Sequence, residues 1–427
     1  MKLIAISQSN NSIFVGIDKK IAQFSLQHDE TSISKVYEID GMVTTDYSLI
    51  SINLDEKEEV LYALYSNKYL CSWNIATGES IAKKLLKKKG TALILPTFNK
   101  QLNQTVAIIS DKAGDIWGYN APHFTKEVLL AGHTASIVTD LLHCPSLNNT
   151  IISADRDEKI RLSSFPDLET VHGYCLNHTS VISSIAYYTV NNRHYLLSTG
   201  WDHRVNVWDL QSQQLLESLT LSSVSSMKTN ATASEEVEAM QEEVEEQQGE
   251  GEDNENNDEE EDGKKYQDTE YGHYPLKIVI SPLNGDVAII YKDSSKIDIF
   301  TFQPPTTDAQ SSSYLTNIKS IALPALPVDI SFLPSSNNLV VLLPKPFTMA
   351  VIAGRTADEV TLATFSESLL VSLRELMNES FNQSFVVSLL GYDADTGMRK
   401  HELDKPFNKD ETINYQAKRG SKRSRKH

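Results

Sequence analysis

Short apolar runs that alternate with polar residues recur along most of the 427 residues, and two stretches align without a gap. The first is GHTASIVTDLLHCPSLNNTIISADRDEKIRLSS from Gly132, and the second is NHTSVISSIAYYTVNNRHYLLSTGWDHRVNVWD from Asn177, 45 residues later. Each has a histidine at its second position, alternating apolar residues after it, and a charged turn before its last strand. Alternation with a period of two is typical of half-buried β-strands, so the sequence predicts a β-rich repeat.

The same spacing recurs elsewhere, because a turn residue precedes a strand end by six positions in several further places. These strand ends are Phe24, Trp73, Tyr119, Ser163, Trp208 and Phe300. They are 49, 46, 44, 45 and 92 residues apart, and a further copy ends near Ala350. A period near 45 with GH and WD dipeptides is typical of propeller blades of four strands. The sequence therefore predicts an all-β, seven-bladed WD-repeat β-propeller, in which the N-terminal KLIAISQ supplies the outer strand of the last blade.

The repeats and their interruptions define five segments. Blades one to five are expected in residues 1–226 and blades six and seven in residues 268–356. Residues 227–267 form an acidic insertion that has almost nothing to bury, and this segment is expected to be disordered. It is either a solvated loop or an electrostatic mimic that competes for a basic partner surface. Of the 57 acidic residues, 16 lie between Glu235 and Asp262, and the other 41 nearly balance the 39 basic residues.

The chain after the propeller predicts a helical extension over residues 357–417 and a basic tail over residues 418–427. Val360, Leu362, Phe365, Leu369, Leu373 and Leu376 recur at helical spacing. This helix is expected to pack on the side of the propeller or on a partner. The tail KRGSKRSRKH fits a nuclear localisation signal or a nonspecific RNA contact, or it is a solvated terminus.

Several classes of protein are disfavoured by what the sequence lacks. No stretch of eighteen apolar residues predicts a membrane span, and the three cysteines are too far apart for a disulfide framework or a metal site, so a soluble intracellular protein is expected. No P-loop, dinucleotide-binding loop, HExxH or nucleophile elbow is present. The sequence therefore predicts no catalytic residues, no metal and no bound cofactor.

A serine, a histidine and an aspartate resemble a catalytic triad in each of the two aligned repeats. The two sets are His133, Ser153 and Asp157, and His178, Ser198 and Asp202. A triad has no reason to occur twice at the spacing of one blade, whereas each blade needs a buried polar network. We therefore predict that both sets are structural, and that Trp208 completes the second.

The remaining charges of the turn ADRDEKIR are unusually dense. With Asp157 given a structural role, Asp155, Arg156, Glu158, Lys159 and Arg161 remain to be explained. Lys159 and Arg161 are two apart on one strand and therefore face the same side of the blade. The turn is either solvated or a docking surface, and local departures from the pattern of a fold favour the second interpretation.

Three motifs together resemble one family, namely DKAGDIWGY at Asp111, GHTASIVTD at Gly132 and SADRDEKIRLS at Ser153. This is the family of WD-repeat, non-catalytic subunits of tRNA (guanine-N7-)-methyltransferase. The resemblance is continuous over roughly residues 110–209 and rests on architecture elsewhere. Ile116 and Trp117 depart from the usual Val-Tyr of the family, and Asn177 replaces the glycine of a second GH.

The resemblance implies a heterodimer with a Rossmann-like catalytic subunit. That partner would bind S-adenosylmethionine, and the complex would form N7-methylguanosine in the variable loop of tRNA. In this family the charged turn faces the catalytic subunit. Carried over, Arg156, Lys159 and Arg161 would pair with carboxylates of the partner, with Asp155 and Glu158 at the rim.

A lysine cluster is a candidate for direct contact with RNA phosphates. It comprises Lys83, Lys84, Lys87, Lys88 and Lys89. Protection of an exposed strand edge by lysines explains the cluster equally well.

Two functions are alternatives to the role of a methyltransferase subunit. One is a generic WD-repeat scaffold in a nuclear chromatin or replication complex, and the other is an enzyme that uses the propeller centre. The expected location is the nucleus.

Overall fold

The structure is a computed structural model of the 427-residue chain. The residues that it describes are 2–9, 12–25, 33–39, 47–57, 59–96, 105–221, 274–304, 313–334, 336–344, 347–352 and 361–362. The predicted insertion at 227–267, most of the predicted helical extension at 357–417, and the tail at 418–427 lie outside these residues.

The described residues form 28 strands in seven four-stranded sheets. In sheets one to four the strands are β1 (Ile4–Ser7), β2 (Ser12–Ile17), β3 (Lys20–Ser25), β4 (Ile33–Tyr37), β5 (Leu49–Asp55), β6 (Val60–Tyr65), β7 (Tyr69–Asn74), β8 (Ser80–Leu85), β9 (Gly90–Ile94), β10 (Val106–Asp111), β11 (Asp115–Asn120), β12 (Glu127–Gly132), β13 (Val138–Cys144), β14 (Thr150–Asp155), β15 (Lys159–Ser164) and β16 (Val171–Leu176). In sheets five to seven they are β17 (Ile182–Val190), β18 (Arg193–Gly200), β19 (Arg204–Asp209), β20 (Gln214–Thr220), β21 (Pro275–Ile280), β22 (Asp286–Tyr291), β23 (Lys296–Phe302), β24 (Leu315–Ala322), β25 (Asp329–Phe332), β26 (Leu339–Pro344), β27 (Phe347–Ile352) and β28 (Thr361–Leu362).

Each sheet is an antiparallel meander whose strands pair in chain order, and we call each sheet a blade. The first strand of each blade contacts the first strand of the next, and β25 contacts β1, so the blades close into a ring. The second strand is buried at every residue in blades 1, 2, 4 and 6, whereas the fourth strands of blades 2 and 5 are largely exposed. The first strands therefore surround the axis and the fourth strands form the rim.

The β-propeller prediction is confirmed. All six strand ends found by spacing fall in the third strand of a blade, and the copy near Ala350 falls in β27. Blade 7 ends in a strand of only two residues, Thr361–Leu362, so seven complete blades stay a prediction. Leu362, which was assigned to the predicted helix, instead lies in this strand and pairs with Ala350 of β27. The propeller therefore extends beyond residue 356, its predicted end.

The predicted closure of the ring by an exchanged outer strand is wrong. Strand β1 is the first strand of its own blade and pairs with β2. The amides of Leu3 and Ile4 donate hydrogen bonds to Oδ2 of Asp329 at 2.6 and 2.9 Å. Asp329 is wholly buried in β25 and also pairs with Lys277. Side-chain to backbone hydrogen bonds near the axis therefore join the two ends of the ring, so no exchanged strand is needed.

The hydrophobic core lies between neighbouring blades. One face of blade 4 contributes Ile160, Leu162 and Cys175 to a cluster shared with Ile182 and Trp208 of blade 5. The opposite face contributes Ile151 to a cluster with blade 3. Each blade is thus stabilised by its two neighbours, which is why weak copies of the repeat keep the same fold.

Candidate partner-binding site

The charged turn joins β14 to β15 in blade 4 and is fixed at both ends. Glu158 adopts a left-handed backbone conformation, with φ of 74°. The amide of Lys159 donates to Oδ1 of Asp155 at 2.9 Å. The amide of Arg156 donates to the carbonyl oxygen of Ile137, also at 2.9 Å. The turn is therefore held against the loop that precedes β13, and its charges have defined positions.

The carboxylate of the histidine network in blade 4 belongs to Asp155, not to Asp157. Nδ1 of His133 lies 2.9 Å from Oδ2 of Asp155, and its Nε2 lies 2.8 Å from Oγ of Ser153. The Asp157 side chain is 30% exposed, and its amide donates to Oγ of Ser136. The predicted structural role of Asp157 and the predicted rim position of Asp155 are both wrong. Asp155 ends β14 and faces the same side as Ser153 two residues earlier, and blade 5 has Gly200 at the position of Asp155.

Blade 5 contains the corresponding network with the predicted residues. Nδ1 of His178 lies 2.8 Å from Oδ2 of Asp202, and Nε2 lies 2.8 Å from Oγ of Ser198. Nε1 of Trp208 donates to the same Ser198 hydroxyl at 2.9 Å. Ser163 stands at the position of Trp208 in blade 4, and its buried hydroxyl has no hydrogen-bond partner among the described residues. Blade 4 thus keeps the histidine but lacks the indole.

These networks lie in the interior of the blades. Ser153 is 2%, Asp155 1% and His133 8% exposed. Burial lowers the pKa of His133, and the positive charge of Arg161 lowers it further, whereas the hydrogen bond to Asp155 raises it. A neutral imidazole that donates from Nδ1 to the carboxylate and accepts from the serine hydroxyl satisfies all three groups. A substrate cannot reach this serine, so the arrangement stabilises the blade.

Arg161 is the unusual residue of this site. It is 9% exposed, and Nη1 donates to the carbonyl oxygen of Gly132 at 3.1 Å. Its Nε and Nη2 atoms are buried and have no hydrogen-bond partner among the described residues. Burial lowers the pKa of this guanidinium, but arginine stays charged in proteins. The isolated propeller therefore holds a buried cation that is only partly satisfied.

The other residues predicted to bind a partner differ in how much of each reaches the surface. Lys159 is exposed and Glu158 is half-buried. Arg156 is 9% exposed, and its Nε lies 3.5 Å from Oδ1 of Asp157. A partner would meet Lys159 first and would reach Arg161 only by inserting a side chain.

Sequence reasoning missed the outer strand β16, which borders this site. Leu176 lies opposite Lys159, and Tyr174 lies opposite Arg161. Leu176 is 62% and Tyr174 45% exposed. Alternation in VHGYCL could have placed both residues on the face opposite Cys175, but no sequence signal indicates that this face is uncovered.

The lysine cluster lies on the rim of blade 2, in β8 and the loop after it. Glu127 in β12 pairs with Lys84 at 3.1 Å and with Lys87 at 2.7 Å. Asp115 pairs with Lys88 at 3.1 Å. The Lys83 and Lys87 ammonium groups also lie over the rings of Tyr69 and Trp117, respectively. The carbonyl oxygen of Lys89 accepts a hydrogen bond from the amide of Lys112. Lys84, Lys87 and Lys88 therefore connect blade 2 to acidic residues of blade 3.

In the part of the chain that the structure describes, no three His, Cys, Asp or Glu side chains are grouped closely enough to hold a metal ion. No helix of these residues is long and apolar enough to cross a membrane.

The closed ring of meander sheets and its buried histidine networks define the class of WD40 β-propellers. The chain belongs to the family described as the tRNA methyltransferase TRM82 WD40 domain, whose model matches residues 98–344. Among solved structures, a chain of the "Crystal Structure of Mitotic Checkpoint Complex" is similar with a TM-score of 0.54 and 11% identity. That similarity covers 86% of this chain and 90% of the other, and it shows the fold alone.

Three curated relatives have the same descriptive name, tRNA (guanine-N(7)-)-methyltransferase non-catalytic subunit. The wdr4 protein of Dictyostelium discoideum is 26% identical over 243 residues, which are 52% of this chain and 49% of that protein. The wuho protein of Drosophila grimshawi is 33% identical over 135 residues, 31% of this chain and 34% of that protein. The wdr4 protein of Danio rerio is 28% identical over 237 residues, 55% of this chain and 46% of that protein. The chain thus spans half or less of the length of these relatives.

Proposed function

We propose that this chain is the non-catalytic subunit of a heterodimeric tRNA (guanine-N7-)-methyltransferase and that the turn of blade 4 docks the catalytic subunit. The complex forms N7-methylguanosine in the variable loop of tRNA. The catalytic subunit binds S-adenosylmethionine, and the propeller stabilises that subunit in its active conformation. The names of the relatives and the family membership of residues 98–344 support this assignment.

The observation that carries the docking proposal is the state of Arg161. Its guanidinium is buried, and two of its nitrogen atoms lack an acceptor among the described residues. Buried N–H groups of a charged guanidinium that lack an acceptor are costly, whereas a carboxylate with good geometry satisfies two of them at once. A carboxylate from the catalytic subunit supplies that acceptor. Lys159 adds an exposed positive charge on the approach to it.

The proposed location is the nucleus. The C-terminal sequence KRGSKRSRKH, with six basic residues in ten, supports a localisation signal.

The test is reconstitution with the methyltransferase of the same organism, followed by measurement of binding and of N7-methylguanine formed on tRNA. Two variants change the site in different ways: Lys159→Glu reverses an exposed charge, and Arg161→Met removes the buried charge while keeping an apolar stem. Lys296→Glu is the matched control, because Lys296 is the exposed first residue of β23, as Lys159 is of β15.

We expect both site variants to weaken the heterodimer and to reduce methylation at limiting subunit concentration. Truncating one member of a buried interfacial charge pair costs about 2 to 5 kcal/mol, so Arg161→Met should have the larger effect. Lys296→Glu should bind as the wild type does. The docking proposal is overturned if both site variants bind normally. The subunit proposal is overturned if the catalytic chain methylates tRNA equally well alone, and the generic scaffold then becomes the better interpretation.

A further inference from the structure

The rim of blade 4 next to Arg161 carries an exposed apolar patch that the charged turn does not include. We call Tyr174 and Leu176 of β16 the rim patch. Leu176, at 62%, is the most exposed large hydrophobic side chain among the described residues, and Tyr174 is 45% exposed. Single exposed apolar residues are ordinary, so their position relative to other groups decides whether they have a function.

The register of blade 4 places this patch directly beside the two cations of the turn. Residues opposite each other in an antiparallel pair have neighbouring side chains on one face of the sheet. Leu176 is opposite Lys159, and Tyr174 is opposite Arg161. The face therefore combines an exposed ammonium group, a buried guanidinium and two exposed apolar side chains.

Blades 5 and 6 do not repeat this combination at the same register positions. The pair that corresponds to Arg161 and Tyr174 is Asn206 and Ser218 in blade 5, and Asp298 and Ser320 in blade 6. Asn206 accepts a hydrogen bond from Asn177, and Asp298 accepts hydrogen bonds from Tyr291 and Ser320. Nδ2 of Asn206 also lacks a partner among the described residues, but it belongs to a neutral amide, whereas the unpartnered Nε and Nη2 of Arg161 belong to a charged group.

We propose that the rim patch is the apolar half of the docking site, and that it receives a segment of the catalytic subunit in which an acidic side chain lies beside an apolar one. This inference rests on the proposed function and adds the chemistry of the contact. The acidic side chain inserts toward Nε and Nη2 of Arg161, while the apolar neighbour covers Leu176 and Tyr174. Covering the patch excludes water from the ion pair, which strengthens it because the local dielectric constant falls.

Charge complementarity selects this occupant. A carboxylate suits a buried guanidinium better than a neutral acceptor does, because it is charged and can accept two N–H groups at once. A carboxylate side chain on a protein segment also brings apolar neighbours, which match Leu176. In many protein interfaces a few buried side chains dominate the binding energy, and the contacts around them exclude water. The proposed site has the same organisation, with the ion pair of Arg161 surrounded by the rim patch.

The experiment measures the dissociation constant between the full-length propeller chain and the purified methyltransferase for variants of the patch. Leu176→Ser and Tyr174→Ser remove apolar surface and leave both cations in place. Leu85→Ser is the matched control, because Leu85 is 58% exposed and lies opposite Tyr69, the first residue of the third strand of blade 2. Tyr174→Phe tests whether the ring or its hydroxyl group is needed.

We expect Leu176→Ser and Tyr174→Ser each to weaken binding about tenfold. Leu85→Ser and Tyr174→Phe should bind as the wild type does. Because water exclusion couples the patch to the ion pair, the loss from Leu176→Ser should shrink when Arg161→Met is already present.

Four results would overturn the inference. If Lys159→Glu weakens binding but the patch variants do not, docking stands and the rim patch is not part of it. If the patch variants leave the heterodimer intact and instead weaken its binding to tRNA, the patch contacts RNA. If they lower the unfolding temperature of the isolated chain, the chain itself covers the patch. Normal binding by every variant, Lys159→Glu included, would reject the docking proposal as well.

Discussion

Oδ2 of Asp155 lies 2.9 Å from Nδ1 of His133, whereas Asp157, the residue at the expected spacing, lies outside this network. The other oxygen of Asp155 accepts the amide of Lys159 at 2.9 Å. One carboxylate thus links the interior of blade 4 to the turn that is proposed to dock a partner. The position of the charged turn depends on a buried hydrogen bond.

Replacing Asp155 by asparagine is therefore expected to destabilise the propeller. Each carboxylate oxygen of Asp155 faces an N–H donor. Asparagine replaces one of these oxygens by an NH2 group, so one of the two donors would lose its acceptor. Leaving a buried donor unsatisfied costs about 1 to 3 kcal/mol. Asp157→Asn is the matched control and should change the free energy of unfolding by less than about 0.5 kcal/mol. Urea unfolding followed by tryptophan fluorescence measures both, and equal stabilities would contradict the assignment of the network.

Stability should fall as the pH is lowered below that of neutral solution. Burial lowers the pKa of His133, and burial also lowers the pKa of His143 and His203. In the unfolded chain these histidines bind protons below about pH 6.5, so between that pH and their lower folded pKa the unfolded state binds more protons. The urea midpoint should therefore decrease from pH 7.5 to pH 5.5. His133→Gln should make this decrease less steep, and an unchanged slope would show that His133 does not contribute.

The charge of Arg161 should be measurable through His133. Burial is the largest cause of the lowered His133 pKa, and the positive charge of Arg161 acts in the same direction. Arg161→Met should therefore raise the pKa of His133, whereas Arg161→Lys should keep it low. A chemical-shift titration of the histidine ring carbons measures this, with His203 as an internal control because Arg161 does not act on it. If the His133 pKa does not rise in Arg161→Met, the two groups are not coupled as the structure indicates.

The spacing of residues along the chain predicts some features of this structure and misses others. The spacing of turns and strand ends predicted the third strands correctly, because that spacing is local and repeats in every blade. The wrong assignment of Asp157 shows the limit: Asp155, two residues earlier, occupies a position that is Gly200 in blade 5, and its carboxylate takes the place next to His133. In blade 5 the turn residue Asp202 does reach His178. The same sequence pattern therefore occurs with two different hydrogen-bond networks.

Long-range packing accounts for the remaining differences. Arg161 was assigned to a turn that is either solvated or a docking surface, whereas the structure buries its side chain against the preceding blade, where Gly132 accepts one hydrogen bond. The exposure of Leu176 depends on what covers the rim, and a single strand sequence does not contain this information. Closure of the ring through Asp329 joins residues more than 320 positions apart.

Gly114 is expected to be essential for the loop that carries His133. It has φ of 86°, and an added Cβ would lie 2.6 Å from the carbonyl oxygen of His133 and closer still to that of Ser136. Its own carbonyl oxygen accepts the amide of His133 at 2.8 Å. Gly114→Ala should destabilise the propeller by about 2 to 5 kcal/mol through strain and overpacking.

Gly78→Ala separates backbone strain from crowding. Gly78 has φ of 80°, but its nearest contact for an added Cβ is the flexible Lys35 side chain at 3.7 Å. The cost should therefore be only about 1 kcal/mol. Thermal unfolding of the two variants measures the difference, and similar losses would mean that contact with the loop of His133 is unimportant.

The lysine cluster on blade 2 offers a test of direct contact with tRNA. Lys84 and Lys87 both pair with Glu127, whose pKa is lowered first by the hydrogen bond from Lys87 and then by that from Lys84. Ion pairs exposed to water are weak, so phosphates can compete with this carboxylate. If the lysines contact RNA, Glu127→Gln should raise the affinity of the complex for tRNA, because it frees both ammonium groups.

The opposite change should come from removing the lysines themselves. Lys84→Gln combined with Lys87→Gln should lower tRNA affinity, and the dependence of log K on log salt concentration should become shallower by about 0.7 to 0.9 per lost phosphate contact. Lys20→Gln is the control, because Lys20 pairs with Glu38 on blade 1 at 3.1 Å. Unchanged tRNA affinity in both Glu127→Gln and the double lysine variant would mean that the cluster only protects the edge of β8, since lysines on an exposed strand prevent pairing with other chains.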